Sequence, residues 1–493
     1  MKNIKLFILC ICVALKFSSC DLDSTVYSSL TEDNFPKTEE DAESLLTGLY
    51  GNVKNNSGGV DDGANGGWGW PLLSISAEAW TGFSMATTDE MYTVGSANIR
   101  DFEWGNAFNT MNTFRINKNI TRATYLISVI EKTDGIREDS KQRMIAEAKC
   151  IRAWIMFALY DLYGPIPYIV DPDKAIEEIK YEPRPSKEEY FNQMVKDFTE
   201  AIPYLYDKTN NTANWGRVNK GLANMLLMKL YMNDHQYEKA LPFAEAVTKM
   251  GYKLEDDYFA VFSNEGNNEV IWAVPSGARA DNEWFFYTIP SDCAEVLGQE
   301  VAPYWGVFVL PWDFYDTFTD QDIRKNGLAE SYIGPDGKEH SRTVNPTRSQ
   351  YGAIVVKYFL PKSLTSSGNY QQVSLRYADV ILSLAEIENT LNGPTERALG
   401  YLKQITDRAG TTSTIPNNIQ QSKETFNDFL LAERGRELHL EGWRRQDLLR
   451  FGKYISNARE RGKNAKDHQV LLPIPPQIII ESGGIITQNP GYE

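Results

Sequence analysis

Residues 217–254 read RVNKGLANMLLMKLYMNDHQYEKALPFAEAVTKMGYKL, and this stretch decides the fold. Apolar residues recur every three or four positions through 217–232 and again through 237–250, the spacing of two amphipathic helices joined by a short turn. Leu227, Tyr231, Tyr237 and Ala240 fall at about the spacing of a tetratricopeptide helix pair, with small or apolar Ala244 and Val247 beyond. Small residues at such positions let two antiparallel helices approach closely. Residues 375–391 and 394–408 repeat the pattern, with Gly393-Pro394 at the turn and Ala398 early in the second helix. The two pairs lie far apart in the chain, so a large insertion interrupts the array.

Working outward, the same periodicity predicts helices over 112–132, 141–162 and 187–206, the second stopped by Gly164-Pro165-Ile166-Pro167. Thr38 and Asp41 have the spacing of a capping box, with an amphipathic continuation to Val53. Positions 51–67 are crowded with Gly and Asn and read as a long loop. The insertion, 255–370, is rich in aromatics, Gly and Pro, with β-like runs such as Glu269-Val270-Ile271-Trp272-Ala273-Val274. Helices resume at 375, run to about 452, and an extended tail follows. This divides the chain into an N-terminal helical region, 31–254, and a C-terminal region, 255–493.

The N-terminus sets the compartment. Lys2 and Lys5 precede a ten-residue apolar run, LFILCICVAL, at 6–15. That is too short to span a bilayer, which takes ~20 residues, and fits a secretory signal over 1–19. Ser18-Ser19-Cys20 then resembles a lipobox, with Cys20 diacylated as the new N-terminus and residues 20–30 a polar tether. Only Cys150 and Cys293 remain beyond it, too few for a disulfide framework, and Cys150 sits in an apolar helical run as a buried thiol. The net charge is −16, and the signal carries away three lysines and no acids. Such an acidic chain has little reason to bind nucleic acid and suits a neutral ligand.

A search for catalytic chemistry returns little. The four histidines are scattered without metal-ligand spacing, and no nucleophile elbow, phosphate loop or zincin pattern occurs. No cofactor is expected. Asp61-Asp62 and Asp320-x-Asp322 carry calcium-type oxygens without the full EF-hand order, so a structural calcium has no support. The charged run ERGRELHLEGWRRQD, 433–447, reads as a structural network with Glu433/Arg436, Glu441/Arg444, Glu441/Arg445 and Arg444/Asp447 paired along a helix. Arg376 and Asp379 read as another local pair.

Aromatic residues carry the positive signal. Ten of the eleven Trp lie before residue 313, and residues 281–315 hold ten aromatics in 35 positions, more than twice the 12% of the whole chain. An earlier cluster, Trp68-Gly69-Trp70-Pro71 with Trp80 and Phe83, follows the Gly/Asn loop. The axial C–H face of a pyranose is flat and weakly apolar, so it stacks on such rings while Asn, Asp or Glu bond its hydroxyls. The expected stacking residues are Trp68, Trp70, Trp284, Tyr304 and Trp305; the expected polar partners are Asn65, Asp89, Glu90 and Asp281.

Six segments, in order, resemble the SusD/RagB family of outer-membrane lipoproteins. They are Ala146 through Tyr163-Gly164-Pro165-Ile166-Pro167; Arg217-Val218-Asn219-Lys220-Gly221; Asn268 to Trp272; Leu375-Arg376-Tyr377-Ala378-Asp379-Val380 with Ala385-Glu386; Glu433 to Leu438 with Glu441-Gly442 and Asp447-Leu448; and Leu472-Pro473-Ile474-Pro475 with Gln488-Asn489-Pro490-Gly491-Tyr492. The fold class is then mainly α: tetratricopeptide-like helix pairs forming a right-handed superhelical frame, with a large loop- and short-strand-rich insertion carrying the binding surface. The resemblance implies a non-catalytic protein at the outer face of the outer membrane, held by its N-terminal lipid. It would bind oligosaccharide or polysaccharide and deliver it to a SusC-like TonB-dependent transporter. Peptide capture in the same kind of system, a surface glycoside hydrolase and a protein-binding scaffold are the alternatives.

Overall fold

The computed structural model describes residues 36–51, 53, 60–61, 68–69, 72–74, 77–105, 111–175, 181–275, 287–301, 304–358 and 371–492, with backbone alone at 60–61, 68–69 and 111–112. The signal peptide, Cys20 and the tether lie outside the described residues.

Helix α1 (Glu39–Tyr50) begins at the expected capping box: Asp41 N donates to Thr38 Oγ1 at 3.2 Å, and Thr38 N donates to Asp41 Oδ2 at 3.0 Å. Helix α2 (Trp80–Ala86) is buried throughout. The predicted 112–132 helix is built in three pieces: a turn at Met111–Phe114, a 3-10 turn at Arg115–Asn117, then α3 (Lys118–Lys132). Helix α4 (Glu138–Tyr163) is the central element, and Trp154, Met156, Phe157 and Leu159 bury against several neighbours. Each such side chain contributes about 1.5–3 kcal/mol. It ends where Gly164 turns to φ 71° ahead of Pro165. Helix α5 (Lys187–Ala201) stops short of the predicted 206, because Pro203 lacks an N–H and the chain tightens into a 3-10 turn at Ile202–Tyr204. The pair that opened the sequence reading is α6 (Lys220–Asn233), capped by Asn219 Oδ1 accepting from Leu222 N at 3.0 Å, and α7 (Tyr237–Thr248). The second pair is α8 (Tyr377–Asn392) and α9 (Glu396–Ala409); α10 (Lys423–Glu437) and α11 (Arg444–Arg450) follow. The segment expected as an extended tail carries two further helices, α12 (Tyr454–Glu460) and α13 (Pro476–Glu481).

In space the array is continuous. Helix α3 packs on α4, α4 on α5, α5 on α6, α6 on α7, α7 on α8, and α8 on both α9 and α10. The two pairs separated in sequence are thus neighbours, and the intervening chain is looped out of the stack.

Strand β1 (Val60–Asp61) pairs with β2 (Trp68–Gly69), and β3 (Tyr92–Thr93) leaves the N-terminal half to join the insertion. The insertion opens with β4 (Val270–Val274), one residue inside the predicted run. It continues through β5 (Glu295–Val296), β6 (Gln299–Glu300), β7 (Phe308–Pro311), β8 (Leu328–Ala329), β9 (Ser331–Ile333), β10 (Glu339–Ser341) and β11 (Gly352–Val355). It closes with β12 (Gln372–Arg376), which pairs antiparallel with β4, Gln372 opposite Val274 and Arg376 opposite Val270. The neck of the insertion is therefore zipped shut. Two four-stranded sheets stand on it, in the orders β10-β9-β5-β6 and β3-β7-β11-β8.

Beneath the neck lies a buried ionic network. Arg376 meets Glu269 at 2.9 Å, Glu437 at 2.5 Å and Glu441 at 2.7 Å. Arg324 meets Asp322, Glu433 and Glu437 at 2.8–2.9 Å, Arg408 spans Glu269 and Glu437, Lys357 meets Glu441, and Arg436 meets Glu433. Five cations thus face five carboxylates, which is what lets so many charges leave water together. Of the local pairs expected from sequence, Glu433/Arg436 forms. Glu441 goes instead to Arg376 and Lys357, Arg444 to Asp89, Arg445 to Asp161, and Asp379 to Lys229 and Arg434. The reason is that 433–447 is not one helix. The chain breaks between α10 and α11, with Leu440 at φ 56° and Gly442 at φ 86°, and a Cβ on Gly442 would meet Thr81 Cγ2 at 2.6 Å. Cys150 and Cys293 are buried free thiols.

Candidate functional site

Of the seven described rings of the 281–315 cluster four fill the core: Phe308, Trp312, Phe314 and Tyr315 are each under 9% exposed, as are Trp80 and Phe83 from the earlier cluster. Tyr287 and Tyr304 are half-buried, and Trp305 stands exposed. Its side chain is 62% exposed, the largest exposed ring among the described residues. The sequence explains how it is held. Phe308, buried at the start of β7, supports Tyr287 in a stacked contact at 6.0 Å, and Tyr287 meets the Trp305 ring edge-on at 5.9 Å and 76°. Gly306 makes the bend, at φ 52°, and a Cβ there would meet Pro290 Cα at 2.4 Å. The loop therefore lies flat on Pro290, and Tyr304 beside Trp305 is half-buried.

A second ring pair shares the sheet. Val94 N donates to Val307 O at 2.8 Å, continuing the β3–β7 pairing of Tyr92 with Val309. The Tyr92 ring stacks on Tyr351, just before β11, at 4.4 Å and 9°. The Arg100 guanidinium lies 4.3 Å from the Tyr92 centroid and is anchored by Asp101, whose carboxyl its hydrogen bonds lower to about 2. Tyr351 and Val94 are 38% and 37% exposed, so three of the exposed apolar side chains flank the strands of one sheet. Sequence reading missed Tyr92 and Tyr351, which sit alone in the chain and become a pair only when β3 joins β7.

Of the expected stacking residues the structure brings Tyr304 and Trp305 together. Trp68 has its backbone in β2, opposite Asp61, and its ring is outside the described residues. Asn65, Trp70, Asp281 and Trp284 also lie outside the described residues. The two remaining polar candidates turn inward. Asp89 accepts from Arg444 at 2.7 and 2.8 Å and from Asn457 at 3.1 Å. Glu90 is fully buried, accepts from Leu440 N at 2.8 Å, and has its carboxyl pushed up to about 8 by burial. Glu90 braces the 438–442 break and has no surface to offer a ligand, whereas Asp89, tied to Arg444 and Asn457, keeps its side chain 19% exposed.

Asp322 is held by Arg324 and Asp320 by Lys325; among the described residues no group of three His, Cys, Asp or Glu side chains is arranged to hold a metal. Among them, too, no helix is long and apolar enough to cross a membrane.

A stacked helical-pair frame presenting rings on a strand-rich insertion defines a helical-repeat protein with a large strand-bearing insertion. Comparison with known proteins gives the family: residues 312–492 match the model described as "SusD family", and residues 30–232 match "Starch-binding associating with outer membrane". The chain belongs to the SusD/RagB family. It is 24% identical to "SusD-like protein P25" of Formosa agariphila over 96% of this chain and 97% of that one. It is 22% identical to "Starch-binding protein SusD" of Bacteroides thetaiotaomicron over 77% and 78%. Among solved structures, a "Laminarin binding SusD-like protein" superposes with TM-score 0.72 at 23% identity over 93% of this chain and 100% of that one. "Surface glycan-binding protein A from Bacteroides thetaiotaomicron in complex with laminarihexaose" gives 0.70 at 19%, over 92% and 99%.

Proposed function

We propose that this protein is a non-catalytic, lipid-anchored binder at the outer face of the outer membrane, which captures oligosaccharide on the Trp305 platform and passes it to a SusC-like TonB-dependent transporter. The observation that carries this is the 62% exposure of a tryptophan propped edge-on by Tyr287, close in the fold to the exposed Tyr351 and Val94. The names borne by relatives, starch-binding, laminarin-binding and glycan-binding, support a saccharide, and the lipobox-like Ser18-Ser19-Cys20 supports the anchor. Each ~1.4 kcal/mol is tenfold in affinity, so loss of a ring that stacks a sugar face is readable as lost retention.

Affinity electrophoresis of residues 21 onward, through gels holding single polysaccharides, tests it. One polymer retards the protein without being shortened, and Trp305→Ala sharply reduces the retardation while the melting temperature stays put. Normal retardation of the variant would sink the platform; shortening of the polymer would make the protein an enzyme.

A further inference from the structure

A second concavity, of about 630 Å³, opens beneath the β5–β6 hairpin, and none of the platform rings lines it. Its wall includes Tyr315, whose hydroxyl donates to Glu330, and Lys325, which donates to Asp320 Oδ1 at 2.9 Å and lies 5.0 Å from the Tyr315 ring centroid. Glu295 and Leu297 complete the rim from the hairpin. The volume is that of a small-ligand cleft.

The hairpin tip is the telling feature. Val296 pairs with Gln299, leaving Leu297-Gly298 as a two-residue turn with φ of 49° and 73°. Such a turn favours Asn-Gly, and a leucine there has its Cβ crowded against its own carbonyl. Leu297 also gains little from burial, being 49% exposed. A residue held against both its backbone preference and its solvent preference, at the lip of a cleft lined by polar and apolar groups alike, is placed for contact with something else.

We propose that this concavity is a second saccharide subsite, taking one or two uncharged sugar units. Leu297 covers the apolar C–H face, the carboxylates of Glu295 and Glu330 accept from hydroxyls, and Lys325 donates to a ring or hydroxyl oxygen. Three carboxylates against one ammonium line the cleft, so uronates and sulfated sugars are repelled. The inference rests on the glycan-capture reading for the class of ligand alone.

Methyl NMR of the mature chain, leucine-labelled, tests it with laminarihexaose, maltohexaose and oligogalacturonate. The Leu297 methyls are assigned by their loss in Leu297→Asn. A neutral hexaose shifts them, also in Trp305→Ala, and Leu297→Asn weakens that response about tenfold while melting no lower than the parent. Leu297 methyls unmoved by either neutral sugar overturn the subsite; if Trp305-dependent retardation persists in that case, the platform reading stands without it. A response to oligogalacturonate alone also overturns it.

Discussion

At the scale of single residues, environment decides chemistry. Glu90 and Asp89 are adjacent carboxylates with opposite fates. Arg444 holds Asp89 below its ordinary value, whereas burial raises Glu90 to about 8. An unfolded glutamate titrates near 4.5, so folding takes up a proton between the two values. The contribution of Glu90 is therefore complete below pH 4.5 and falls as pH climbs towards 8. Glu90→Gln cannot titrate. Its stability by urea denaturation, relative to the parent, should improve between pH 5 and 8 by up to about 1.4 kcal/mol per pH unit. Parallel pH curves would mean that the carboxyl is ionised throughout. Trp305 is the exposed counterpart: its residue type was legible in the sequence, but its exposure depends on Phe308, Tyr287 and the close approach of Gly306 to Pro290.

At the scale of elements, the neck of the insertion and the α10–α11 break are tied by one side chain. Arg376 ends β12 and reaches Glu269 before β4, Glu437 at the end of α10 and Glu441 in the break. Arg376→Met would leave these buried carboxylates short of a cation, and the expected loss is about 3–5 kcal/mol by chemical denaturation. A loss under 1 kcal/mol would mean that water or the remaining arginines compensate. The element boundaries show what local pattern can and cannot give. Helices α4, α6, α7, α8 and α9 were legible because apolar spacing and Gly-Pro stops are local signals. The ion pairs were not, because i, i+4 spacing predicts pairing only on an unbroken, solvent-facing helix, and residues 438–442 are neither.

At the scale of the molecule, the insertion looks separable in sequence and is not so in space. Arg324 and Lys357 lie within it, and their partners Glu433, Glu437 and Glu441 lie in the helical frame. Strand β3, from the N-terminal half, completes one of its sheets. Replacing residues 276–370 by an Asn-Gly turn between β4 and β12 keeps the neck but leaves three cations, Arg376, Arg408 and Arg436, to four carboxylates, Glu269, Glu433, Glu437 and Glu441. The expected result is loss of soluble, cooperatively melting protein in circular dichroism. A soluble deletion variant with a sharp transition would show that the frame folds without its insertion.

The sequence by itself determined the helical class, the interrupted pairing of α6–α7 with α8–α9, the family through six ordered motifs, and the region where rings concentrate. Each of these is written in residue type and near-neighbour spacing, which survive without knowledge of the rest of the chain. Only the tertiary structure decided that α7 packs on α8, that Tyr92 stacks on Tyr351, that Glu90 is sealed in while Trp305 faces out, and that five cations and five carboxylates balance in one network. Exposure and charge pairing are properties of contacts between residues far apart in the chain, and no local pattern fixes which side of a ring or carboxylate will meet water.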